Sequence, residues 1–201
     1  MDYNAQDKQI HIVNLAVCAS LQAFEEYSSR SLNCRRDVIA AIRVKLRPYL
    51  QEIAEREYAE TCMGNVRDKI IKLVLALDKT PGVEDLLSEV VTGDHGMTLH
   101  EQAPYGVVLA IYPATNPCAT MINNVISMLA AGNSVISIPN PRCMETSQFL
   151  TEKINEAIEE ACGIQNLVVT LPESRNDLLT EIINHPDVAL VVATGGRKMM
   201  S

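Results

Sequence analysis

Residues 103–132 read APYGVVLAIYPATNPCATMINNVISMLAAG, and the character of the chain changes twice inside this run. From Val107 to Tyr112 it is continuously apolar and short, the pattern of a buried strand. Pro113 ends the strand, Ala114-Thr115-Asn116 makes a polar turn, and Pro117 stands at the first helical position, where its fixed φ and missing N–H cost least. The reading is strand, turn, helix N-terminus, an order that builds sites in α/β proteins.

Working outward, strands at 107–112, 134–138, 167–171 and 188–193 alternate with helices at 117–131, 145–161 and 174–184. Short apolar strands separated by helices predict a parallel, Rossmann-like α/β sheet with right-handed crossovers and helices on both faces. Ligands in such sheets bind at the strands' carboxyl ends. Those ends are Pro113–Asn116, Pro139–Arg142, Leu171–Glu173 and Thr194–Gly196.

Upstream the periods are helical. Ile10, Val13, Val17, Leu21 and Phe24 share one face. Asn33 is the expected cap of a second helix carrying Ile39, Ile42, Leu46, Tyr49 and Ile53, which Pro48 should kink or split. A third helix, with Val66, Ile70, Leu73, Val74 and Leu77, ends before Pro81-Gly82. Gly93-Asp94-His95-Gly96 reads as a turn leading into an exposed strand from Met97 to Glu101. The expected organisation is a helical lead-in over 1–91, one arm of a ribbon over 92–106 and the α/β region over 107–201.

Composition narrows the function classes. The 201 residues are 47% hydrophobic and 21% charged, a globular balance, and the net charge is −8. The second half holds only five cations, Arg142, Lys153, Arg175, Arg197 and Lys198, against ten carboxylates, which excludes a nucleic-acid face. A bound anion there must be held chiefly by backbone N–H groups and helix N-termini, which suits a dinucleotide. Six scattered cysteines, without a C-x-x-C pair or a histidine at ligand spacing, predict reduced thiols and no metal site. The acidic start, with Asp2 and Asp7, argues against a signal peptide, and no apolar run reaches membrane-spanning length. A cytoplasmic protein is expected.

The P-A-T-N-P turn, the Ile138-Pro139-Asn140-Pro141-Arg142 loop, Thr194-Gly195-Gly196 and the lead-in string Thr80-Pro81-Gly82-Val83-Glu84-Asp85-Leu86 together resemble the amino-terminal part of the aldehyde dehydrogenase superfamily. The likeness is to its CoA-acylating branch, of the propanediol- and ethanolamine-utilisation type, and the absence of tryptophan, hence of a P-W-N turn, favours that branch. The resemblance implies NAD as cofactor, coenzyme A as co-substrate and a small aldehyde as substrate, with self-association through the ribbon and association with a bacterial microcompartment. It implies that Asn116, or Thr115 by a gapless comparison with the hydrolytic branch, donates to the oxyanion formed when a cysteine attacks the aldehyde. It assigns the cofactor to Tyr112, Pro113, Ala114, Thr115, Pro139, Asn140, Pro141, Arg142, Thr194, Gly195 and Gly196. The family's nucleophilic cysteine falls beyond Ser201, so the chain alone is expected to be inactive, and the rival reading is a non-catalytic nucleotide-binding fragment.

Each motif has a plainer reading. Thr115 or Asn116 can simply cap the helix, the two prolines around Asn140 can make a rigid turn, and a lone T-G-G is weak. No G-x-G-x-x-G is present. Cys118, one residue into a helix, looks activated by the dipole yet has no base beside it in the sequence, and the four histidines show no catalytic spacing.

Overall fold

The computed structural model describes residues 3–172 and 175–196. Four helices come first: α1 (Tyr3–Ser28), α2 (Leu32–Leu46), α3 (Leu50–Thr61) and α4 (Val66–Lys79). Two strands, β1 (Glu89–Gly93) and β2 (Gly96–His100), precede the alternating part, β3 (Val107–Ile111), α5 (Pro117–Ala130), β4 (Ser134–Ile138), α6 (Met144–Cys162), β5 (Val168–Thr170), α7 (Asn176–Ile183) and β6 (Val188–Ala193).

β3 to β6 form one parallel sheet in the order β5-β4-β3-β6. The chain steps outward from β3 through β4 to β5, then returns to the other side of β3. The reversal of direction lies between β3 and β6, and it is there, beyond the carboxyl ends, that such sheets open a crevice.

Period-two alternation sends Val107, Leu109 and Ile111, with Ile136 and Ile138, to one side of the sheet, and Val108, Ala110, Tyr112 and Val135 to the other. α5 and α6 cover the second side, and α2, α3 and α4 stack on them in the same core. The first side is covered by α7 together with α1, whose Val13, Ala16 and Val17 pack on Leu109 and Ile136. Ser20 Oγ, buried, donates to Ser134 Oγ on β4 at 2.9 Å. The expected lead-in is therefore not a unit of its own, because its first helix is one layer of the α/β sandwich.

Local corrections have simple causes. Ser31, not Asn33, caps α2, its Oγ accepting from Cys34 N–H, while Asn33 Oδ1 accepts from Arg36. Both residues suit a cap; Ser31 is the one three positions before a free N–H. Pro48 splits the second helix, as its missing donor requires, through a 3-10 turn at Arg47–Tyr49. The ribbon has two arms: β1 pairs antiparallel with β2 from Glu89↔His100 to Gly93↔Gly96, so it starts before residue 92 and across the expected boundary at 91. Every residue of both arms is exposed, which left β1 without the half-buried alternation that betrays a strand.

Candidate functional site

β3 delivers the chain into Pro113, and the turn that follows carries the N-terminus of α5. The N-cap Asn116, at φ −143° and ψ 58°, makes no side-chain cap bond. Its carbonyl accepts instead from Thr120 N–H at 3.1 Å and Thr120 Oγ1 at 2.7 Å. The N–H groups of Cys118 and Ala119, in the first turn, have no intrahelical acceptor and give this end its positive potential. The plainer reading, side-chain capping by Thr115 or Asn116, does not describe the structure.

Three strand ends meet in one cleft of about 470 Å³. Pro113 to Asn116 and Thr120 come from the β3–α5 connection, Asn140 from the end of β4, and Thr194 to Gly196 from the end of β6. The cleft sits over the β3/β6 reversal, within the size range of small-ligand sites. Thr194 N–H donates to Ile111 C=O at 3.0 Å, so the sheet ladder is carried to the edge of the cleft. Among the described residues its side-chain donors are neutral hydroxyls and amides and no carboxylate lines it, which fits a pyrophosphate-bearing dinucleotide held by dipoles.

The remaining expected residues lie elsewhere. Tyr112 is a correction: 1% exposed, its hydroxyl within 3.2 Å of Ser137 Oγ, it underpins the turn from the core and presents nothing to a ligand. Burial pushes its phenol well above the usual range. Pro139 is buried beneath the loop, and Pro141 and Arg142 are exposed outside the cleft's lining. Asn140 Oδ1 accepts from Arg142 N–H at 3.1 Å, capping the 3-10 turn Pro141–Cys143, so the rigid-turn reading holds for this residue alongside its place in the cleft. Glu173, Arg197 and Lys198 lie outside the described residues.

Cys118 is fully buried, and its thiol is pushed well above the usual range by a hydrogen bond with Cys143 and then by burial. Neither change favours a thiolate. Among the described residues no cysteine lines the cleft.

Sequence reasoning overlooked the side chains that hold the cleft from behind. Glu60 on α3 accepts from Thr146 N–H at 2.7 Å and Thr146 Oγ1 at 2.8 Å, fixing the start of α6. Lys72 on α4 donates to Asn116 Oδ1 at 2.8 Å. Asn123 on α5 donates to Thr80 Oγ1, and Arg43 on α2 to Thr80 C=O, tying the end of α4 to its neighbours. Lys69 and Glu57 form an ion pair between α4 and α3, with side chains 5% and 2% exposed. Only Lys69 and Lys72, flanking the apolar pair Ile70-Ile71 in α4, hinted at such roles.

Comparison with known proteins agrees with this geometry. The model of the aldehyde dehydrogenase family matches residues 3–201. The chain is 45% identical over 184 residues to a propanal dehydrogenase (CoA-propanoylating) of Salmonella typhimurium, a match covering 92% of this chain and 40% of that protein. Three solved structures superpose at a TM-score of 0.90 over 93% of this chain and 43% of theirs: a Rhodopseudomonas palustris propionaldehyde dehydrogenase with bound CoA and an acylated cysteine (39% identical), an engineered glycolyl-CoA reductase with bound NADP+ (38%), and a propionaldehyde dehydrogenase from a Clostridium phytofermentans fucose-utilisation bacterial microcompartment (39%). The chain thus spans about 40% of the length of the curated relative it matches. Matched along nearly its whole length, the chain belongs to the aldehyde dehydrogenase family.

Proposed function

We propose that this chain is the nicotinamide-dinucleotide-binding part of a CoA-acylating aldehyde dehydrogenase, which converts an aldehyde, coenzyme A and NAD to an acyl-CoA and NADH. The observation that carries the proposal is the single cleft over the β3/β6 reversal, built from Pro113–Asn116, Asn140 and Thr194–Gly196. The CoA and NADP+ bound in similar structures support it.

When bound, the cofactor supplies a hydride acceptor. The chain's own residues then bind and orient: Gly195 and Gly196, without Cβ atoms, let the backbone approach the dinucleotide closely. Thr115, Thr194 and Asn140 offer polar contacts. Asn116 holds an amide donor at the mouth of α5, where charge grows on an aldehyde oxygen under attack, and one such donor contributes roughly 3 kcal/mol in the transition state. The nucleophile is not among the side chains that line this cleft, which is the observation favouring a second reading, a nucleotide-binding segment with no chemistry of its own.

Two measurements separate these outcomes. Titration of the isotopically labelled chain with NAD+ and NADP+, followed by NMR, is expected to shift the signals of 113–116, 140 and 194–196; shifts confined to other surfaces would remove the assignment. NADH production from propionaldehyde and coenzyme A is expected from the longest reading frame containing the chain and not from these residues alone. Activity of the 201-residue chain that vanishes in Cys118→Ala would overturn the mapping.

Self-association belongs to the same proposal. The ribbon exposes Val90, Met97 and Leu99 on one face and Val91 on the other, each more than half accessible, and the apolar strip of the first three suits a second copy of the chain. Association with a microcompartment is supported by the source of the Clostridium structure. Among the described residues no helix is long and apolar enough to cross a membrane.

A further inference from the structure

The geometry points to Lys72 as a positioning residue that fixes which way the Asn116 side chain faces: its ammonium holds the amide oxygen, and so turns the NH2 group toward the cleft. The inference rests on the reading of Asn116 as an oxyanion donor, but its physical content is independent of it.

The chemistry of the pair leaves one arrangement. A primary amide has a carbonyl side that only accepts and an NH2 side that only donates, and the two exchange places by a half-turn of the terminal torsion. A lysine ammonium carries three donors and no acceptor. At 2.8 Å from Lys72 Nζ, therefore, Asn116 must present Oδ1, and its two N–H groups point away from α4. Lys72 lies in a groove between α4 and α5, and Asn116 divides this groove from the cleft, contributing to both. Away from α4 is the cleft side. Among the described residues nothing else holds the amide oxygen: Asn116 makes no side-chain cap bond, and its backbone carbonyl is the group that Thr120 uses.

The contact does two things at once. An oxyanion donor is effective only if its N–H is already aimed where charge will appear, since reorienting it during the reaction forfeits the gain. A cation on the carbonyl also polarises the amide, which makes its N–H a better donor. Lys79 lines the same groove two turns further along the same face of α4, about 10 Å away along the axis, too far to take over the contact with Asn116.

The test uses the chain itself, labelled with 15N and 13C, with the Asn116 side-chain NH2 assigned from its loss in Asn116→Ala. In the native chain, cross-peaks from the NH2 protons to Ala114 and Gly195 on the cleft side are expected to outweigh those to Leu75 and Ala119 on the groove side. The expected preference is about tenfold, the weight of one charge-assisted hydrogen bond. Lys72→Arg keeps a donor-only cation and should keep the preference; Lys72→Met should bring the two sets to near parity while the backbone spectrum elsewhere stays unchanged. An unaltered preference in Lys72→Met, or a native NH2 facing Lys72, overturns the inference. Both results are read without cofactor, so a failure of dinucleotide binding in the titration above leaves this outcome distinct.

Discussion

Glu57 and Lys69 provide the sharpest energetic test of how the helices behind the cleft are held. The two side chains are 2% and 5% exposed and face each other between α3 and α4, and the Glu57 carboxylate also raises the pKa of the buried Cys118 thiol. Two charges so fully removed from water gain from each other roughly what their desolvation costs, whereas one left alone keeps the cost without the partner. Lys69→Met or Glu57→Leu alone is therefore expected to cost about 3–5 kcal/mol, and the double variant, with both charges gone and volume kept, less than either single change. In a protein of this size about 1 kcal/mol moves the melting temperature by about 2–4 °C, so each single variant should melt roughly 6–20 °C lower. Urea unfolding at neutral pH, followed by circular dichroism, gives the four corners of the double-mutant cycle. Single changes below about 1 kcal/mol, or a double variant as destabilised as the sum of the singles, would refute the claim that this pair is a desolvated unit.

Other expectations concern separate parts of the fold. Gly132, at φ +87° after α5, lies under the Arg35 guanidinium, whose Cζ stands 2.5 Å from the position a Cβ would take; Gly132→Ala should cost at least about 1–2 kcal/mol from the backbone alone, and more if Arg35 leaves the Tyr27 ring, as chemical unfolding will show. Cys118 and Cys143 are buried while Cys18 and Cys62 are exposed, so a thiol reagent should label the latter pair quickly and the former only on unfolding, with mass mapping as the readout. Hydrogen bonds from Lys153, then Lys45, hold the Glu156 carboxyl below its ordinary range. A depressed folded-state value means stability that is present above the unfolded carboxylate pKa and lost as pH falls through the folded one, so Glu156→Gln should flatten the acid limb of a stability–pH curve and leave the neutral region little changed.

How far the sequence discloses this fold depends on the reach of each signal. The β3–α5 junction was legible because proline, an apolar run and a polar turn act within a few residues, and the structure places all three as read. The identity of the cap on α2 was not, since Ser31 and Asn33 have equal local claims and only the helix start decides. Periodicity showed that α1 has a buried face, but it says nothing of what covers that face, and the sheet is roughly a hundred residues away. β1 escaped because exposure on both faces erases alternation. Tyr112 entered the cofactor set through the resemblance alone, and counting by two from Val108 and Ala110 assigns it to the core face.

What no local pattern carries is the support of the site. Lys72 and Asn116 are 44 residues apart, Glu60 and Thr146 86 apart, and each pair joins the helical part to the start of a helix that follows a strand's carboxyl end. Such junctions are where a parallel sheet has no ladder left to fix the backbone, so their geometry must be set from outside the sheet. α3 and α4 supply that constraint through charged and polar tips that reach past an apolar interface. The buried Glu57–Lys69 pair in turn bridges α3 to the first turns of α4, one helical turn before Lys72. The positions of Asn116 and of the β4–α6 loop are thus consequences of how α3 and α4 pack, and a change in that packing reaches the cleft without touching any residue that lines it.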